Sequence, residues 1–187
     1  MATTRLYTAD DLLVMEGNAF DYELVRGELR EVSPAGGDAS MTAGVIYVAL
    51  FPFVTSRGLG YLTTADGGYF LSGNPDTLVA PDVGFIRSAR VPVDYDRTSF
   101  IPVPPDLAVE VLSPTDRPRD VAEKIALYLE AGVSFVWIVD SRKKTVTVHR
   151  SGREPRQLGV GDELDGEDIL PGFRLVVAAV FSNVWDA

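Results

Sequence analysis

Apolar residues in this chain follow two periods, and the clearest helical one lies between two strand-like runs. From Arg119 to Glu130, Val121, Ile125, Tyr128 and Leu129 recur at i, i+4, i+7 and i+8, with Ala122 beside them. That is one stripe of an amphipathic helix, and Gly132 supplies its stop. Upstream, Asp106–Leu112 is an almost unbroken apolar run, the pattern of a strand covered on both faces. Downstream, Phe135–Val139 reads as a second buried strand. Residues 106–140 thus predict a parallel strand–helix–strand crossover. The clean alternation of Lys144–Arg150 predicts a more exposed strand after it.

The flanks are read from their punctuation. Thr8 suits an N-cap, with Asp10 and Asp11 in the first turn of a short helix reaching about Glu16 and ended by Gly17. Asp21–Val25 and Glu28–Val32 around Arg26-Gly27 predict a hairpin. After the Pro34–Gly37 loop, a helix is expected from about Ala39 to Ser56, capped by Gly58 and kinked at Pro52. Gly60–Thr64 and Gly68–Leu71, on either side of Ala65-Asp66-Gly67, read as another hairpin. Leu78–Ile86 reads as a strand broken at Pro81, and Ser88–Pro105 as an irregular loop. Beyond Arg150 the expectation is short edge strands and a terminal helical turn. With no repeats and no long linker, residues 1–187 are expected to form one α/β domain, a central mixed sheet flanked by helices.

Composition narrows the chemistry. The chain has 187 residues, 46% apolar and 24% charged, enough to bury a core. It has no Cys, which removes disulfides, Cys-ligated metals and thiol nucleophiles. His149 is its single His, read as a surface residue, so a His-rich metal site or a Ser-His-Asp triad has little to draw on. Carboxylates, Lys and Arg must do the work of any enzyme here. No apolar stretch is read as approaching bilayer length, Leu175–Phe181 being typical, and no targeting signal is seen. The expectation is a cytoplasmic protein without a membrane partner. The net charge of −10 argues against nonspecific nucleic-acid binding.

Three residues stand out against this background. Glu110 interrupts an otherwise wholly apolar strand, where an ionised carboxylate costs several kcal/mol without a partner or a metal. A structural ion pair is the plain alternative. Asp82 follows Pro81 directly at the start of a second buried strand; alone, Pro-Asp is a common turn dipeptide. Together the two carboxylates could hold a hard divalent cation through oxygen. Lys124 lies at the edge of the helical stripe, one of three Lys against 14 Arg, on the helix that returns past Glu110. Its plain alternative is an exposed pair with Asp120, one turn earlier, worth little. Asp120 and Glu123 are read as surface charges, and Trp137, Tyr128 and Phe135 as core.

The run from Pro105-Asp106 through Glu110-Val111-Leu112-Ser113-Pro114, then Glu123-Lys124, Tyr128, Ala131-Gly132-Val133 and Trp137-Ile138-Val139-Asp140, resembles the Uma family of restriction-endonuclease-like proteins. Pro81-Asp82 and Phe20–Ser33 extend the resemblance over nearly the whole chain. That family, long counted as a domain of unknown function, belongs to the PD-(D/E)xK nuclease superfamily. The resemblance implies a restriction-endonuclease-like core with an N-terminal hairpin and extra strands, and Asp82 and Glu110 as metal ligands. The superfamily's usual Lys, two residues after the acid, is replaced here by Leu112; the family's pattern moves it to the next helix, which matches Lys124. Glu23 matches a further acidic position that would complete or water-bridge the metal site. Relatives often carry a His where this chain has Ser40-Met41.

These residues permit Mg²⁺-dependent hydrolysis of DNA phosphodiesters, with Mn²⁺ as a substitute. Asp82, Glu110 and the main-chain carbonyl of Val111 would hold the metal, and Lys124 would act on the attacking water or the developing charge. The alternative is a catalytically idle protein keeping the fold as a binding or assembly module. A homodimer would suit cutting both strands of a duplex. Arg142, Lys143, Lys144, Arg150, Arg153 and Arg156 form a basic stretch expected to offer phosphate a local face, and the acidic run Asp162–Asp168 reads as a solvated loop.

Overall fold

The computed structural model describes residues 5–15 and 22–182. The expected helix stop at Glu16 and Gly17, and the expected strand start at Asp21, lie outside the described residues. Helix α1, Ala9–Leu13, opens on a capping box: the Asp11 N–H donates to Thr8 Oγ1 at 3.1 Å and the Thr8 N–H to Asp11 Oδ2 at 2.9 Å. Strands β1, Tyr22–Val25, and β2, Glu28–Glu31, pair antiparallel. Their turn needs positive φ at both central residues, and Arg26 (51°) and Gly27 (81°) supply it.

Helix α2 runs uninterrupted through Pro52, from Gly37 to Ser56. Its residues Ala39, Thr42, Ile46, Leu50 and Val54 form one buried face. By length and composition this helix is apolar enough to cross a membrane, which corrects the expectation that no segment comes near bilayer length. Its inner face, however, is packed into the main core.

Strand β3, Gly60–Thr64, and β4, Tyr69–Ser72, do not form the expected hairpin. A turn does close between them, with the Gly67 N–H on the Thr64 carbonyl at 2.9 Å. β3 then pairs antiparallel with β6, Val83–Arg87, while β4 pairs with β5, Thr77–Val79, in a different sheet. The cause is packing. Tyr69 is fully buried over Gly84, where an added Cβ would lie 2.6 Å from the tyrosine ring and hydroxyl. Its hydroxyl also shares a 3.0 Å hydrogen bond with Thr63 Oγ1. Pro81 falls where the chain passes from β5 to β6, so the expected single strand is split between the two sheets.

The βαβ expectation holds. β7, Leu107–Val111, pairs in parallel with β8, Phe135–Asp140, through α3, Pro118–Glu130. Pro118 occupies the first turn of α3, where its missing N–H costs nothing. β9, Thr145–His149, and β10, Arg156–Leu158, extend the sheet, giving the order β10-β9-β8-β7-β6-β3. His149 in β9 is half-buried. A second sheet has the order β2-β1-β5-β4, and β11, Glu163–Asp165, pairs with β12, Arg174–Val176, ahead of the short α4, Val177–Val180.

The alternation of β7 and β8 sorts the core into two layers. Leu107, Val109, Val111, Trp137 and Val139 pack with Ile46, Leu50 and Val54 of α2. Ala108, Val136 and Ile138 pack with Leu127 and Tyr128 of α3 and with Tyr69. Glu110 shares the strand face of Ala108, so its carboxylate emerges under α3.

The basic stretch is only partly neutralised within the fold. Arg150 pairs with Glu167 and Asp168, Arg153 with Glu167, and Lys143 with Asp140. Within the acidic run, Glu167 and Asp168 thus answer part of the basic stretch, while Glu163 and Asp165 lie in β11 and pair with Arg174. Arg142, Lys144 and Arg156 keep no carboxylate partner among the described residues.

Candidate functional site

Three strands drawn from both sheets, together with α3, converge on Glu110. β7 presents it beneath α3, which returns Lys124 and, one turn later, Tyr128 to the same carboxylate. Lys124 Nζ donates to Glu110 Oε2 at 3.0 Å and the Tyr128 hydroxyl to Oε1 at 2.6 Å. β1 of the second sheet adds Glu23, whose Oε1 lies 3.0 Å from Lys124 Nζ and accepts the Ala80 N–H at 3.1 Å. Asp82, at the entry to β6, accepts the Val111 N–H on Oδ2 at 2.7 Å. Lys124 makes no ion pair with Asp120, so the surface-pair alternative is set aside. Glu123, read as a plain surface charge, accepts both arms of the Arg30 guanidinium at 2.9 Å. That fork ties the β1–β2 hairpin to α3 and fixes the approach of Glu23 to Lys124.

Each expected site residue falls in or beside this cluster. Tyr128 was legible only as core, although its place four residues after Lys124 on one helical face was the signal for its hydrogen bond to Glu110. Ser40 and Met41 belong to the first turns of α2.

Electrostatically the cluster is short of positive charge. Glu23, Asp82 and Glu110 face one ammonium. Burial pushes the Glu110 carboxyl up to about 7, with Asp82 and Glu23 adding to the effect against the pull of Lys124. Burial likewise raises Asp82, against the Val111 N–H and Lys124. Burial also works against the Lys124 ammonium, but Glu110 and Glu23 outweigh it and hold its pKa above the ordinary lysine value. Tyr128, raised by burial and by the Glu110 carboxylate, stays a hydroxyl donor.

Among the described residues, no three His, Cys, Asp or Glu side chains converge as a ready-made metal cage. The donor set suits the sparser mode of Mg²⁺, which takes one or two carboxylates and fills its shell with water and phosphate oxygens. Asp82 Oδ1 accepts no hydrogen bond among the described residues, and each Glu110 oxygen accepts one, leaving lone pairs free. Glu23 is instead engaged with Lys124 and Ala80. A cavity of about 120 Å³ opens on Glu110, Val111 and Lys124, with Asp116 and Asp120 on its wall.

The family model described as "Uma2: Putative restriction endonuclease" matches residues 9–178. A crystal structure of "a putative nuclease belonging to DUF820" from Anabaena variabilis superposes with a TM-score of 0.79 at 19% identity, covering 94% of this chain and 97% of that one. It shares the fold, a central mixed sheet flanked by helices. No curated protein matches the chain.

Proposed function

Since the chain belongs to the Uma2 family of restriction-endonuclease-like proteins, we propose that it is a Mg²⁺-dependent nuclease that hydrolyses DNA phosphodiester bonds, with Mn²⁺ as a substitute. The observation that carries this reading is Lys124 Nζ at 3.0 Å from Glu110 Oε2, a lysine delivered from a helix to the buried strand acid. Asp82, Glu110 and the Val111 carbonyl would hold the metal. Bound there, the ion supplies a lowered water pKa and neutralises charge on the phosphoryl group. Glu110, ionised and aimed by Tyr128, presents oxygen to the cleft. Lys124 offers its protons to the attacking water or to a phosphate oxygen. With Glu110 committed to the metal, Glu23 would still hold that ammonium in place.

A second reading, an idle nuclease fold serving as a binding module, draws on one observation: Lys124 is satisfied on both sides by Glu23 and Glu110. The two are separated by Mg²⁺ and Mn²⁺ calorimetry followed by plasmid cleavage with wild type and Glu110→Ala. Metal binding with cleavage that Glu110→Ala abolishes supports the nuclease. No binding and no cleavage with either ion leaves the binding module.

A further inference from the structure

Beside the Glu110–Lys124 cavity lies a larger groove of about 400 Å³ that the proposed chemistry does not use. The two adjoin: Leu112, Asp116 and Val121 line both. Beyond that shared wall the groove is lined by the apolar Pro114, Pro118 and Ile125 and by the charged Asp140, Arg142 and Lys143. Of these two cations, Lys143 is cancelled by Asp140 at 2.8 Å, whereas Arg142 has no carboxylate partner among the described residues. Arg142 is also well placed. Asp140 Oδ1 accepts the N–H groups of both Arg142 (3.1 Å) and Lys143 (3.0 Å), which fixes the turn that carries the guanidinium.

The groove is therefore polarised. A carboxylate, Asp116, belongs to the wall shared with the Glu110–Lys124 cavity. The unshared lining is apolar at Pro114, Pro118 and Ile125 and, with Asp140 and Lys143 paired to each other, carries the unpaired guanidinium of Arg142. An anionic ligand is repelled at the first and attracted at the last, while the apolar lining accepts a ring or sugar face. A polynucleotide has that alternation, charged phosphates separated by weakly polar sugar and base. We propose that this groove seats the nucleotide adjacent to the scissile phosphate, with its sugar and base on Pro114, Pro118 and Ile125 and its outer phosphate on Arg142. This rests on the nuclease reading, and it assigns to Arg142 the phosphate recognition that Arg150 and Arg153, tied to Glu167 and Asp168, do not provide.

The test is the salt dependence of binding to a fluorescein-labelled DNA duplex in Mg²⁺, followed by fluorescence anisotropy. All proteins carry Glu110→Gln, so that no strand is cut during titration. Adding Arg142→Gln is expected to weaken binding severalfold and to make the slope of log K against log salt shallower by about 1, the signature of one lost phosphate contact. Arg156→Gln, the same charge change at a residue outside the groove, is expected to leave the slope unchanged. Equal effects of the two variants, or no duplex binding at all, overturn the proposal. In the wild-type background, Arg142→Gln is expected to raise KM with kcat unchanged. A protein that cleaves but shows no Arg142 effect refutes the groove alone; Arg142-dependent binding without cleavage refutes the nuclease and leaves the groove as a nucleic-acid site.

Discussion

Lys124 and Glu110 meet at 3.0 Å although they lie on different elements, the helix α3 and the strand β7. In the proposed site the ammonium thus reaches the strand carboxylate from the following helix. Removing it leaves Glu110 and Glu23, both largely buried, without their cation. Lys124→Met is therefore expected to lower stability by about 3 kcal/mol near pH 8, and by less near pH 5, where Glu110 can take up a proton. Urea unfolding at the two pH values checks both the size and the trend.

The raised Glu110 pKa fixes a second pH dependence. With the carboxyl at about 7 in the fold against an ordinary 4.5, the native protein binds more protons than the unfolded chain between those values. Stability therefore falls as pH rises through that window. Glu110→Gln removes this titration, so the variant should gain on wild type from about pH 5 to about pH 8. The pull of the Lys124 ammonium is already contained in that pKa, and the lysine, charged throughout, adds no titration of its own. A stability difference that is flat with pH would show that Glu110 is already ionised in the fold at pH 5.

Metal binding should carry the mirror image of that effect. A cation seated on Glu110 must displace its proton, so Mg²⁺ affinity should rise with pH up to about 7 and binding at about pH 6 should release protons. Calorimetry in buffers of different ionisation enthalpy counts them. Glu110→Gln should release none from this site.

Much of this was legible in sequence. An acid inside Leu107–Leu112 and a scarce lysine on the following helix announced themselves by contrast with their surroundings, and the βαβ unit by its two periods. Partner choice was not legible. Gly60–Thr64 and Tyr69–Ser72 look like neighbours along the chain, but the cavity over Gly84 that takes the Tyr69 ring exists only after two sheets stack. Glu23 belongs to the other sheet, and its meeting with Lys124 depends on that same stacking. Within the run from Arg142 to Arg156, the neutralisation of Arg150 and Arg153 was not legible because their counter-charges, Glu167 and Asp168, arrive from a later loop.

Tyr128→Phe isolates the other hydrogen bond to Glu110. Losing a 2.6 Å bond to a carboxylate should cost about 2 kcal/mol. It should also weaken Mg²⁺ binding, because the freed carboxylate loses its fixed orientation. Unfolding and calorimetry on the same preparation separate the two effects.

The Arg30–Glu123 fork makes a separable claim about the hairpin. Its side chains are 40% and 29% exposed, so a double-mutant cycle should give a coupling of about 0.5–1 kcal/mol that shrinks with added salt. The Arg5–Asp11 pair, six residues apart at the start of α1 and more exposed, should couple more weakly. Equal couplings would deny the hairpin its role as a clamp on α3.

The most direct test of the central claim is single-turnover cleavage of supercoiled plasmid in Mg²⁺, comparing wild type with Lys124→Met after both are shown to be folded. The account expects wild type to nick the plasmid and Lys124→Met to do so at least about 100-fold more slowly. Cleavage by Lys124→Met at the wild-type rate would contradict it.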